Sequence, residues 1–134
     1  MPAGYSETPL AKKLNLRDDQ RVWFHAMPES VQDEIGEYAL DLIFADPAEG
    51  IDAAHIFVTT REELSSLLAT LRKQLATDGH IWVSWPKQAS KVPTDVTEDT
   101  IREVALPIGL VDTKVCAVDE TWSGLKLVIR KDLR

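Results

Sequence analysis

Apolar residues recur along the chain in two rhythms, and the switch between them marks the elements. Leu64, Leu67, Leu68, Leu71 and Leu75 fall three or four residues apart, the spacing of one face of an amphipathic helix. Thr60 with Glu63 makes a capping box ahead of it, and Gly79 is placed to end it. On one side, AAHIFVT (53–59) is a nearly continuous apolar run, as expected of a strand buried on both faces; on the other, HIWVSW (80–85), stopped by Pro86, reads as the next strand. RVWFHAM (21–27), closed by Pro28, reads as a further strand, and residues 40–45 as a short one.

Weaker helical stripes fill the gaps. Thr8 and Pro9 suit the N-cap and first position of a short helix carrying Leu10 and Leu14. Ser30, with Asp33 three residues on, opens a second around Val31 and Ile35. Asp95 with Glu98 opens another through Ile101, Val104 and Ala105, ending near Pro107 or Gly109. Residues 111–122 and 125–130 read as two strands, with Ser123-Gly124 as the hairpin turn between them. Strands alternating with helices predict a three-layer α/β, Rossmann-like domain: a mostly parallel sheet of five or six strands, right-handed crossovers and a C-terminal antiparallel hairpin.

At 134 residues the chain fits one domain spanning residues 1–134. Cys116 is the only cysteine, which excludes an intrachain disulfide and fits a reducing compartment. Neither a secretory signal nor an apolar stretch of membrane-spanning length is present, so a cytoplasmic protein is expected, with no membrane partner. Charge sharpens this. Residues 1–67 hold five Lys/Arg and thirteen Asp/Glu, and eight acids with no base lie between Glu29 and Asp52. Such a segment repels polyanions, so nucleic acid is not expected as a partner.

Three segments carry a resemblance: AGYSETPLAKKL (3–14), WVSWPKQASKVPTDVTED (82–99) and REVALPIGLVDTKVCAVDETWSGLK (102–126). With them the chain resembles a family of short bacterial proteins classed as a domain of unknown function, which implies a bacterial cytoplasmic protein and assigns no reaction. The stretch from Ala53 to the end is also similar in architecture to the second half of a class I methyltransferase-like Rossmann fold: a leucine-rich helix, a strand, a helix and a closing strand pair.

Chemistry is less legible than fold. A dinucleotide or adenosyl site needs glycines after the first strand, where the backbone must approach the ligand. That position reads AMPES, and no G-x-G or P-loop occurs. No cofactor is therefore expected, and a divergent S-adenosylmethionine-dependent methyltransferase relative is the least favoured reading. Ser84-Trp85-Pro86-Lys87 matches S-x-x-K, yet an extended chain points its Ser and Lys to opposite faces. His25, His55 and His80 have no metal-ligand spacing and read as separate structural histidines, and Cys116 as a buried structural thiol.

In open α/β sheets ligands settle at the carboxyl ends of the strands. That rim should carry residues 27–30, 59–61 and 85–97. The last segment offers Trp85, Lys87, Ser90, Lys91, Thr94 and Asp95 as candidates for binding an anionic group, with Asp119, Glu120 and Trp122 from the later strand sequence. Tyr5, Ser6 and Thr8 could close over such a cleft, though the N-terminal segment reads more simply as packing on the sheet. The favoured function is a non-enzymatic Rossmann-like module binding a small anionic ligand or a protein. The alternative is an enzyme at the same rim, with Lys87, Asp95, Asp119 and Glu120 as acid–base groups. An exposed edge strand also allows a homodimer.

Overall fold

The computed structural model describes residues 8–134, and Tyr5 and Ser6 lie outside them. The chain runs α1 (Leu10–Lys13), β1 (Arg21–His25), α2 (Glu29–Gly36), β2 (Ile43–Phe44), β3 (Ile51–Phe57), α3 (Arg61–Gln74), β4 (Leu75–Pro86), α4 (Glu98–Ala105), β5 (Leu110–Ala117) and β6 (Trp122–Ile129). The strands form one six-stranded sheet in the order β2-β1-β3-β4-β6-β5. β2, β1, β3 and β4 run parallel to their neighbours; β6 is antiparallel to both β4 and β5. The α/β class, the mostly parallel sheet and the closing hairpin are as the hydrophobic rhythm predicts.

Strand alternation sends each residue pair to opposite sides of the sheet, so two cores form. On one side Leu64, Leu68 and Leu71 of α3 and Ile101 and Ala105 of α4 pack on Ala54, Ile56, Ile81, Val83 and Leu125. Burying each such leucine contributes roughly 1.5–3 kcal/mol. On the other side Leu10, Ala11 and Leu14 of α1 and Val31 and Ile35 of α2 cover Val22, Ala53, Phe57 and Trp82. Trp82 and Trp85 therefore belong to different cores, as their odd spacing requires. The Trp82 indole donates to the Leu14 carbonyl at 2.9 Å and so ties α1 to the middle of the sheet.

Several boundaries move, each for a local reason. Pro9, Pro28 and Thr97 hold the N-cap positions expected of Thr8, Ser30 and Asp95. At α4 the box is Thr97 with Thr100, not Asp95 with Glu98, because the Asp95 carboxylate is turned to the N–H of Arg61 at 2.7 Å. α3 ends at Gln74, and Leu75 already pairs with Ile51 as part of β4. Gly79 is a strand residue rather than a helix terminator: a Cβ there would lie 2.5 Å from the Asp52 carbonyl oxygen, so the site demands close backbone approach.

The hairpin turn is also shifted. β5 ends at Ala117, and the turn falls on residues 118–121, while Ser123 and Gly124 sit inside β6 paired with Trp85 and Ser84. Asp119 Oδ1 accepts from the N–H groups of Thr121 and Trp122, both at 2.8 Å, an Asx-type turn that outcompetes Ser-Gly. Gly124 serves packing instead, since a Cβ there would lie 3.1 Å from the Trp82 ring.

Candidate functional site

The connection from β1 leads outward to β2, and the chain then returns to place β3 on the other side of β1. The β1/β3 boundary is thus the switch point where an open α/β sheet offers its crevice. The backbone turns sharply there, with Ala26 at φ 53°, but the side chains do not fit an adenosyl or dinucleotide cofactor. Met27 is buried, Pro28 lacks an N–H, and Glu29 puts a carboxylate in the first turn of α2, where an anionic ligand group would need to approach donors. At the end of β3 the backbone is already used. Thr59 N–H donates to Glu63 Oε1 at 3.3 Å, and the Thr59 carbonyl accepts from Thr94 Oγ1 at 2.7 Å and from the Asp95 N–H at 3.2 Å.

This same crevice holds a pair that the sequence did not single out. His25 Nε2 lies 3.3 Å from Glu63 Oε2. Glu63 thereby joins the end of β1 to the end of β3, instead of closing a capping box on Thr60 N–H. Thr60 Oγ1 does accept from Glu63 N–H at 3.1 Å, as a cap should.

The rim residues expected to bind an anion are placed as follows. Trp85 is in the core beneath α3 and α4. Lys87 Nζ donates to the Asp119 carbonyl at 2.6 Å, and Ser90 Oγ donates to the Lys87 carbonyl at 2.6 Å. Thr94 and Asp95 pin the loop to Thr59 and Arg61, and the Asp119 carboxylate holds its own turn. Trp122 stacks edge-on against Phe57 with ring centroids 5.0 Å apart. Lys91 and Glu120 are exposed. Lys87, Asp119 and Trp122 come together; Thr94 and Asp95 form a separate knot. In both groups the polar atoms mostly serve the loop's own architecture.

A different constellation forms at the amino-terminal half of β4. Helix α1 ends in a Schellman motif: the Asn15 N–H donates to the Lys12 carbonyl and the Leu16 N–H to the Ala11 carbonyl, both at 3.0 Å. Asn15 takes the left-handed position at φ 59°, which its short carboxamide tolerates. The turn brings Lys12, Asn15 and Arg17 over the strand residues His80 and Lys126, which share a face because Trp82 pairs with Lys126 and His80 with Val128. Together with Leu16, Asp78, Gly79 and Val128 they line a cavity of about 380 Å³.

The electrostatics of this cavity are unusual for a chain of net charge −7. Arg17, Lys12 and Lys126 face it, and among the described residues none of the three makes an ion pair. Asp78 is the one carboxylate in the lining. Burial lowers the Lys126 ammonium from its ordinary value, and repulsion from Lys114 and Arg17 lowers it further. His80 is 6% exposed. Burial pushes its imidazole from 6.5 down to about 4, with Lys126 and Arg17 adding to the shift and the Leu14 carbonyl opposing it. His80 Nε2 and Asn15 Oδ1 are both buried without a hydrogen-bond partner. A buried polar atom left unpaired costs about 1–3 kcal/mol, and both of these belong to residues that line the cavity.

Elsewhere on the same side of the sheet His55 Nε2 and Ser84 Oγ are 2.6 Å apart and buried. His55 stacks on Phe57 at 4.5 Å, and this pair reads as core structure. Cys116 is half-buried, and burial raises its thiol above the usual range, the opposite of an activated nucleophile. Among the described residues no group of His, Cys, Asp or Glu could hold a metal ion, and no helix is long and apolar enough to cross a membrane.

The sheet order, the helices on both faces and the antiparallel closing pair define a methyltransferase-like Rossmann fold. Solved structures agree. The ribosomal protein L11 methylase of Lactobacillus delbrueckii subsp. bulgaricus superposes with TM-score 0.56 at 13% identity, covering 90% of this chain and 77% of its own. Magnesium protoporphyrin IX methyltransferase from Synechocystis PCC 6803, solved with bound SAM, gives TM-score 0.55 at 13% identity over 91% of this chain and 74% of its own. Aeropyrum pernix fibrillarin, solved with S-adenosyl-L-methionine, gives 0.52 at 14% over 93% and 70%. At such identities the likeness is one of fold. By sequence the chain belongs to the family described as "Protein of unknown function (DUF3052)", which matches residues 11–131. No curated protein sequence matches it significantly.

Proposed function

We propose that this chain is a non-enzymatic, methyltransferase-like Rossmann module that binds a small anionic metabolite in the cavity between α1 and the β4–β6 pair. The carrying observation is the set of three cations, Lys12, Arg17 and Lys126, that line one cavity with a single carboxylate and make no ion pair among the described residues. A phosphate or carboxylate would accept from Lys12, Arg17 and Lys126, and its charge would favour the protonated His80 ring beside them. The cavity volume of about 380 Å³ sits near the lower end of the roughly 300–1,000 Å³ of small-molecule sites, which favours a compact metabolite over a dinucleotide.

An acid–base role for Lys87, Asp95, Asp119 and Glu120 draws no support from their geometry, since three of the four are engaged with backbone groups and Glu120 is exposed. Isothermal calorimetry with inorganic phosphate, phosphorylated sugars and hydroxy acids tests the reading. Binding by the wild type, weakened at least tenfold by Arg17→Ala or Lys126→Ala and unchanged by Lys91→Ala, is expected. Loss of binding in Lys91→Ala with Arg17→Ala unaffected would return the site to the carboxyl rim.

A further inference from the structure

The opposite end of the sheet carries a surface of another kind. Among the described residues β2 is one of the sheet's two edge strands and is only two residues long. Its Phe44 is 71% exposed and Ile43 48%, with Tyr38 exposed nearby after α2. Soluble edge strands are ordinarily blunted with lysine or proline on the exposed positions; this one presents a phenylalanine. Between α2 and β2 an apolar cavity of about 260 Å³ opens beside it, lined by Phe24, Ile35, Gly36, Leu40, Leu42 and Phe44 among others. Phe44 meets Phe24 edge-on at 5.6 Å and forms one wall of it.

The charge around the groove restricts what can fill it. The segment from α2 through the turn that follows β2 contains Glu29, Asp33, Glu34, Glu37, Asp41, Asp46 and Glu49 and no Lys or Arg. Glu34 is raised from its ordinary value by burial and by the neighbouring Glu37 carboxylate, so acids here already repel one another. Two copies of this edge set face to face would double that repulsion.

We propose that the α2–β2 edge is a docking surface for an extended, basic segment of a partner protein that adds beside β2 and seats a large apolar side chain in the groove. Backbone pairing along the free side of β2 supplies affinity, the groove selects an apolar residue, and the surrounding carboxylates select Lys or Arg at flanking positions. The site is separate from the anion cavity and shares no residue with it.

The test uses the full chain, ¹⁵N-labelled, titrated with three synthetic peptides: alternating Lys and Leu, alternating Glu and Leu, and the same number of lysines interspersed with serine. Amide shifts at Gln32, Gly36, Leu42 and Phe44 are expected with the first peptide alone, at a dissociation constant raised at least tenfold by Phe44→Ser. Glu37→Lys, at an exposed position, should weaken binding severalfold without lowering the melting temperature, which separates lost recognition from lost folding. Equal binding of the Lys/Ser peptide would reduce the surface to charge alone and overturn the proposal. So would silence at those amides with every peptide. Self-association in sedimentation that disappears in Phe44→Ser would overturn it in favour of a second copy.

Discussion

The two buried imidazoles give the chain a specific weakness toward acid. In the folded protein burial pushes His55 from 6.5 to about 3, with His80 adding to the shift, and His80 itself from 6.5 to about 4. Both shifts are downward, so the unfolded chain takes up these protons first. Stability is therefore full above about pH 6.5 and is lost progressively as pH falls toward the folded values. At pH 5 each unfolded imidazole is almost fully protonated while each folded one is almost neutral. The linkage relation then gives about 2 kcal/mol of lost stability per histidine, about 4 kcal/mol together. Against a typical stability of about 5–15 kcal/mol this is a large fraction. Urea denaturation at pH 8, 6.5 and 5 measures it directly. His80→Gln, which cannot titrate, should lose only about 2 kcal/mol over the same interval. A stability that is flat between pH 6.5 and 5, or a loss that His80→Gln leaves undiminished, would refute the assignment of these histidines as buried and neutral.

The remaining predictions concern residues whose roles the fold redefined. Gly79→Ala should cost about 2 kcal/mol, because the new methyl group collides with the Asp52 carbonyl and the Leu75 side chain; thermal melting checks it. Asp119→Ala removes the one oxygen that accepts from both N–H groups of the β5–β6 turn and should cost about 1–2 kcal/mol, with faster amide exchange at Thr121 and Trp122. Trp82→Phe leaves the Leu14 carbonyl without its indole donor. A loss of about 1–2 kcal/mol should come with faster amide exchange in α1, and an unchanged α1 would show that the indole does not tether it.

Much of the fold could be read from local pattern. The leucine spacing of α3 and the apolar runs of β3 and β4 are dictated by burial on one helix face and on two strand faces. Turn chemistry was less transparent. Ser123-Gly124 has the composition of a hairpin turn, but Gly124 is small to admit the Trp82 ring, a tertiary demand with no local signature. Gly79 misled in the same way, its partner being the Asp52 backbone from another strand. The apolar run 40–45 predicts a strand of up to six residues and β2 holds two, since an edge strand paired on one side needs little ladder.

The candidate site was legible only in kind. A small anion follows from lysines near an open α/β sheet, and the carboxyl rim was the natural place for it. The rim lysine Lys87 is turned inward to Asp119. The unpaired cations meet over the β4–β6 pair instead, through Lys12 in α1, Arg17 just after it and Lys126 on β6. Nothing in their spacing along the chain announces that meeting. His80 could have been a hint: a histidine opening an apolar strand must either find a partner or stay neutral.

The measurement that bears most directly on the anion cavity is a phosphate titration of the ¹⁵N-histidine-labelled chain, followed by NMR at constant ionic strength with chloride as the balancing ion. The account predicts a saturable shift at the His80 imidazole, an upward move of its titration as the bound anion favours the protonated ring, and no change at His55 or His25. A His80 signal that stays fixed, or one that drifts in parallel with the half-exposed His25 without saturating, would contradict it.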